Sequence, residues 1–324
     1  MRCSMLLVAL AAIQRGAIAM PADTNAAPPT NPEGSDSQAS DGELTAQAAA
    51  EVSQGLQQSG LSQDKAQEVE QKLEQELKEK DTDSPKGVAD IIGDISTNVV
   101  DVVPEADNTT QVPAVMSVVQ GVINSTLTGA SDTSMGGQDA DALAAVAAAL
   151  AVTGESKEKV AEAIESAMKS GSGAGNDSDT KSLAKRQFRN IHSFCSSARC
   201  NNIVDFSVQM IENRRSLQFM AACLSAMNNL FNFGAAPDVF GVYRDQINGF
   251  SGGNDFNQLQ RLLLDTTRDL GQQNKLSPTI VNSMNNILPL CFDNSQFLGN
   301  FGRHGGGFGQ RGGFGRSNGG FYKN

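Results

Sequence analysis

The stretch NIVDFSVQMIENRRSLQFMAACLSAMNNLF, residues 202–231, decides the fold class of this chain. Its apolar residues recur at steps of three and four, the spacing that places side chains on one face of an α-helix. They are Val204, Val208 and Ile211 in the first part, and Leu217, Met220, Leu224 and Met227 in the second. We find no convincing alternating pattern of a β-strand. The sequence therefore predicts a mainly α protein, with the basic pair Arg214-Arg215 inside a helix.

Two further helices are predicted after this stretch. Each begins with a residue that can cap a helix: Asn254 or Asp255 for residues 254–270, and Ser277, followed by Pro278, for residues 277–290. We predict a small all-α domain of about four helices over residues 187–298.

Four cysteines lie in the same region: Cys195, Cys200, Cys223 and Cys291. An even number suits an oxidising compartment, and four cysteines allow three pairings. We expect Cys195 and Cys200 each to bond with one of Cys223 and Cys291, so that two disulfides tie the domain, because a 195–200 bridge would span few residues. The alternative is a zinc site formed by His192 and the cysteines. Disulfides are favoured in an exported chain, and we predict no metal and no cofactor.

The composition changes at Lys185-Arg186. All 15 Phe and both Tyr lie at or after Phe188, as do these four cysteines. Residues 20–186 carry 11 basic and 28 acidic side chains, a net charge of −17, whereas residues 187–324 carry 12 and 8, a net charge of +4; Arg2 and Arg15 bring the sum to −11. We call residues 20–186 the N-terminal half and residues 187–324 the C-terminal half.

The N-terminal half is predicted to be an acidic helical segment over residues 43–169. Helical spacing recurs in 62–80, 88–103, 113–127, 138–152 and 155–169, with Ser62 placed to cap the first. Without aromatic residues such helices bury modest area, so we expect loose Ala/Val-rich helices, as a bundle or only partly formed. Residues 20–42 form an acidic stretch rich in Pro and Ser, which predicts disorder.

Residues 1–19 have the features of a secretory signal peptide. Arg2 is the positive end, residues 5–13 are an apolar run, and Ala17-Ile18-Ala19 fits cleavage after Ala19. The run is too short to span a bilayer, and no later apolar segment reaches that length. We therefore expect a secreted, extracellular protein. Its acceptors for glycosylation are Asn108, Asn124 and Asn176.

A flexible linker, residues 170–186, ends in the pair Lys185-Arg186. The sequence SGSGAGNDSD at 170–179 has the composition of an accessible segment, where proteolysis concentrates. Leu183 in place of an arginine fits a kexin-like processing protease better than a furin-like one. We predict cleavage after Arg186; the alternative is that the pair is ordinary surface charge.

Residues 299–324 form a glycine-rich tail that is predicted to be disordered, because ordering so much glycine costs too much backbone entropy. Aromatic and basic residues recur along it: Phe301, Arg303, Phe308, Arg311, Phe314, Arg316 and Phe321. They can act as weak stickers through stacking and cation–π contacts, either for self-association or for an extracellular surface or matrix partner. Arg-Gly-Gly sequences also suggest an RNA-binding arm, but no folded nucleic-acid module accompanies the three arginines and an export signal argues against it.

These features favour a secreted, non-enzymatic preproprotein. In this interpretation the acidic segment is a pro-segment, and cleavage releases a disulfide-bonded helical domain with an adhesive or assembly tail. His192 and His304 are the only histidines, which leaves little material for His-based catalysis. The alternatives are a cationic antimicrobial or toxin-like effector, for which +4 is a weak charge, and the RNA-binding protein considered above.

Overall fold

The computed structural model describes residues 49, 52–53, 55–57, 60–103, 108–127, 137–171, 188, 190–253 and 255–295. Regular structure in these residues is helical throughout, which confirms the predicted fold class. No helix in the described ranges is both long and apolar enough to cross a membrane. Several predicted segments lie outside the described residues: the signal peptide with Ala19, the 20–42 stretch, residues 172–186 of the linker with Asn176 and Lys185-Arg186, and the tail from 299 with its Phe and Arg residues. The first two residues of the predicted linker, 170 and 171, are helical.

In the part of the chain that the structure describes, residues 49, 52–53 and 55–57 are helical, and five longer helices of the N-terminal half match the predicted segments closely. They are α1 (Gln63–Glu79), α2 (Pro85–Val102), α3 (Asn108–Leu127), α4 (Gly137–Val152) and α5 (Lys157–Gly171). Ser84 caps α2 by accepting a hydrogen bond from the backbone N–H of Gly87 (3.1 Å), and Pro85 occupies the first helical position. Ser62 lies at the start of α1 as predicted, but its side chain makes no capping hydrogen bond.

The C-terminal half contributes a short 3₁₀-helix and five α-helices. They are the 3₁₀-helix Ile191–Phe194, α6 (Ala198–Glu212), α7 (Leu217–Asn232), α8 (Pro237–Gly249), α9 (Phe256–Gln272) and α10 (Pro278–Ser295). The predicted caps are present on α9, where Asp255 accepts from the N–H of Gln258 (3.0 Å), and on α10, where Ser277 accepts from the N–H of Ile280 (3.3 Å). Helix α8 is the one that the sequence analysis missed.

The stretch 202–231 is two helices rather than one, so the placement of Arg214-Arg215 inside a helix was wrong. Arg214 adopts a left-handed backbone conformation (φ 53°), and the N–H of Arg215 returns to the carbonyl of Met210 (3.1 Å), which closes α6. The Arg215 guanidinium lies 4.8 Å from the centroid of the Phe219 ring and donates to the carbonyl oxygen of Phe250 (2.6 Å). These contacts fix the turn before α7.

The hydrophobic core is continuous across both halves of the chain. Helix α7 lies at its centre, with 13 of its 16 residues buried. It packs against α3 and α4 of the N-terminal half and against α6, α8 and α10 of its own half. Three more contacts cross between the halves: α3 with α10, α4 with α6, and α5 with the 3₁₀-helix. The change in composition at Lys185-Arg186 therefore does not coincide with a boundary in the packing.

Candidate functional site at the junction of the two halves

The two halves meet in a polar cluster beside the end of α4. Helix α4 closes at Gly154, whose positive φ (83°) suits glycine, and the N–H of Glu155 returns to the carbonyl of Leu150 (3.2 Å). This turn places Glu155 just before α5, with its side chain directed inward. The residue is only 4% exposed. A carboxylate so well buried requires charged or hydrogen-bonding partners.

Glu155 finds those partners in the other half of the chain, at Ser196. Its carboxylate accepts hydrogen bonds from the backbone N–H of Ser196 (2.7 Å) and from the Ser196 hydroxyl (2.7 and 2.8 Å to its two oxygens). Lys159, one turn along α5, adds an ion pair at 3.1 Å. Burial by itself would raise the pKa of Glu155, but the bonds from Ser196 and the Lys159 ammonium outweigh it and hold that pKa below its usual value. Glu155 is therefore a carboxylate that links residues 41 positions apart.

A disulfide between Cys195 and Cys200 encloses Ser196 in a small loop. The 3₁₀-helix folds back on the start of α6, which brings the two Cα atoms to 5.4 Å. Ser197 caps α6 within the loop by accepting from the N–H of Cys200 (3.1 Å). Closing so short a loop contributes about 2 kcal/mol through lost chain entropy. The disulfide thereby preorganises the donors that face Glu155.

The expected pairing of the cysteines was wrong. Cys195 and Cys200 bond to each other, while Cys223 on α7 and Cys291 on α10 are free and fully buried thiols. The side-chain amide of Asn229 donates to the Cys291 sulfur at 3.7 Å. Burial raises the pKa of Cys223 and raises that of Cys291 to about 12, so both stay protonated at neutral pH. Two disulfides were expected because a 195–200 bridge spans few residues, and spacing along the chain does not reveal that the 3₁₀-helix brings Cys195 back to the start of α6.

Arg199 provides a second polar connection between the halves. Its guanidinium donates to the carbonyl oxygen of Val152, at the end of α4 (3.4 Å), and to the side-chain oxygen of Asn228 on α7. Asn228 is fully buried. The cation therefore neutralises the negative end of the α4 dipole and satisfies one atom of a buried amide at once. We call Glu155, Lys159, Ser196, Arg199 and Asn228 the junction cluster.

His192 lies at the surface rather than with the metal-capable atoms. Its Nδ1 is 3.3 Å from the side-chain oxygen of Asn201, and its Nε2 is 2.9 Å from a carboxylate oxygen of Asp205. In the described residues, the group that could hold a metal ion consists of Glu155, Cys195 and Cys200, whose donor atoms lie within 4.8 Å of one another. With the two sulfurs bonded to each other, neither is the thiolate that zinc requires. The predicted preference for disulfide over zinc agrees with this arrangement for Cys195 and Cys200.

Comparison with known proteins found nothing similar. No family model, no curated protein and no solved structure matches this chain.

The predicted glycosylation acceptors that fall in the described residues lie on α3. Asn108 is its first residue, and Asn124 lies near its end, where it is partly buried. The acceptor hydroxyl of the Asn124 sequence, Thr126, donates to the carbonyl of Val122 (2.7 Å). Glycosylation at these sites stays a prediction.

Sequence reasoning missed all five residues of the junction cluster. The one signal for Glu155 was its place in TGES, residues 153–156. There Gly154 marks the end of one helix, and Ser156 is a typical N-cap of the next. Charged residues near helix ends are common on surfaces, so this signal does not separate a buried carboxylate from a solvated one.

Proposed function

We propose that this chain is a secreted, non-enzymatic precursor that is cut after Lys185-Arg186. The cut separates an acidic N-terminal half from a C-terminal half that carries the glycine-rich tail. The tail then serves adhesion or assembly at an extracellular surface or matrix, through its repeated Phe and Arg residues. The observation that carries the proposal is the coincidence at one basic pair of three changes, in aromatic content, cysteine content and net charge.

The chemistry of the junction cluster supports a structural role. A general acid or base works best with a pKa near the operating pH, and such groups are usually raised carboxylates or lowered lysines. Glu155 has the opposite shift, because its oxygens are occupied by Ser196 and Lys159. The buried thiols of Cys223 and Cys291 have raised pKa values and so lack the thiolate of a nucleophile. These pKa shifts support a structural rather than a catalytic role for Glu155, Cys223 and Cys291.

The test is to secrete the chain from a eukaryotic cell line and determine the products by intact mass and N-terminal sequencing. We expect one product to begin at Gln187, or at the pyroglutamate that forms from it. Lys185→Gln should abolish this product, whereas Arg214→Gln in the other basic pair should leave it unchanged. Recovery of one intact chain that begins near Met20 would overturn the proposal.

A further inference from the structure

We propose that the two halves stay bound after the cut, so that the secreted product is a two-chain complex and the acidic half is a permanent subunit. This inference rests on the proposed cut for its biological setting, and on the packing of the described residues for its physical content. It assigns the surface formed by α6, α7 and α10 as a binding site and residues 49–171 as its partner.

The first argument is the burial of α7. Its buried residues occupy every side of the helix, and part of that cover is α3 and α4 from the other half. Helix α3 also covers α10, and α4 also covers α6. Departure of the N-terminal half would therefore expose apolar residues of α6, α7 and α10 that are buried in the intact chain.

The second argument is that α3 and α4 of the N-terminal half also need to be covered by the other half. Every residue from 112 to 123 on α3 is buried, and so is every residue from 142 to 152 on α4. A helix that is apolar on all sides is stable only when it is surrounded. The C-terminal half supplies cover that the N-terminal helices lack among themselves. Helix α3 packs against α7 and α10, and α4 packs against α6 and α7.

The third argument is that the junction cluster fastens the two halves by polar contacts. Glu155 accepts hydrogen bonds from the backbone N–H and the hydroxyl of Ser196, and Arg199 donates one to the carbonyl oxygen of Val152. A buried hydrogen-bonded charge gives an interface register and a slow dissociation rate.

The fourth argument concerns the new chain end. A cut after Arg186 breaks one peptide bond, and the contacts named above join residues other than Arg186 and Gln187. Phe188, two residues on, is only 3% exposed, and Ile191 is 2% exposed. The start of the released chain is therefore itself anchored in the shared core.

The experiment cuts the folded chain in the test tube. Residues 180–186 are replaced by the recognition sequence of a site-specific protease, the full chain is purified and cut, and the products are analysed by gel filtration and native mass spectrometry in native buffer. We expect one peak at the position of the uncut chain, with the summed mass of both fragments and an unchanged far-UV circular dichroism spectrum. Two separate peaks, each with one fragment, would overturn the inference.

Variants of the cut protein test the junction cluster. Glu155→Ala should raise the dissociation rate of the fragments by about 30-fold or more, because it leaves the Ser196 donors without their charged acceptor. Glu162→Ala, which removes an exposed glutamate of the same helix, is the matched control and should change the rate less than about three-fold. Equal rates in the two variants would refute the fastening role. Because the protease site is introduced, this result is independent of whether cells cut after Arg186.

Discussion

The hydrogen bonds between Glu155 and Ser196 make a quantitative prediction for the uncut chain. Glu155→Ala removes an acceptor of two charge-assisted hydrogen bonds and one ion pair. Each bond to a charged group is worth about 1.5–3 kcal/mol, and the ion pair with the partly exposed Lys159 adds at most about 1 kcal/mol. Ser196 itself is exposed, so water can reach its donors after the substitution. We therefore expect a loss of about 3 kcal/mol in the free energy of unfolding.

A double-mutant cycle isolates the contact. Ser196→Ala removes the hydroxyl and keeps the backbone N–H, so it should cost about 1–1.5 kcal/mol alone and almost nothing when Glu155 is already alanine. Urea unfolding followed by circular dichroism gives the four free energies, with Glu162→Ala as the control at less than about 0.5 kcal/mol. A coupling energy below about 0.3 kcal/mol between Glu155 and Ser196 would refute the reasoning.

The same contact predicts the direction of its pH dependence. The pKa of Glu155 is lowered in the folded protein relative to its usual value of 4.5. A lowered pKa of an acid means that the unfolded chain binds the proton more readily, so the stabilisation is present above pH 4.5 and is lost as the pH falls through the folded-state pKa. The stability difference between the wild type and Glu155→Ala should therefore shrink below pH 4.5. A difference that grew on acidification would contradict the assigned hydrogen bonds.

Three further substitutions test the packing elsewhere. Gly93→Ala on α2 should destabilise the protein by about 1–3 kcal/mol in urea unfolding, because the new Cβ would lie 2.4 Å from the backbone oxygen of Lys157 on α5. An unchanged midpoint would contradict this close approach of α2 and α5. Burial raises the pKa of Asp141 to about 6, against the opposing hydrogen bond from Gln120, so its stability contribution is greatest below pH 3.8 and is lost as the pH rises through about 6. Asp141→Asn should thus stabilise the protein at pH 7.5 by about 2–3 kcal/mol and remove the decline of the free energy of unfolding between pH 4 and 6. Equal slopes of the free energy of unfolding against pH in the wild type and the variant would refute the raised pKa of Asp141. Ser225→Ala should stabilise the protein by about 1 kcal/mol in thermal unfolding, because this fully buried hydroxyl has no hydrogen-bond partner among the described residues. Ser207→Ala, which loses a bond to the Ile203 carbonyl, should not stabilise it; equal gains would show that helix propensity alone is responsible.

Local structure in this chain was predictable because its helix signals are explicit. Helix α1 was predicted over 62–80 and lies at Gln63–Glu79, and α4 was predicted over 138–152 and lies at Gly137–Val152. The turn before α7 was missed because no glycine or proline marks it. Arg214 takes the left-handed conformation there, which residue type does not reveal. Ser216, which accepts from the N–H of Phe219 (3.3 Å), was the available sign of a new helix.

The assembly of the halves could not be predicted from the sequence. Helices with Ala and Val surfaces pack on many partners, so their pattern indicates burial without indicating what covers them. The absence of aromatic residues before Phe188 gave no sign that the aromatic-containing half covers α3 and α4. The candidate site was missed for the same reason, since Glu155 acquires its role only when α4 lies against α6.

The central position of α7 imposes an order of events on the chain. Helix α7, which begins at Leu217, is synthesised after α3, α4 and the linker. The apolar sides of α3 and α4 therefore stay uncovered until α7 has been synthesised. While the linker is intact, the two halves meet at an effective concentration in the millimolar range, and folding does not depend on how dilute the protein is. In the proposed two-chain product, reassembly is bimolecular and slows with dilution. A chain that folds before the proposed cut therefore gives a product that, once unfolded at high dilution, has little chance of regaining the native complex.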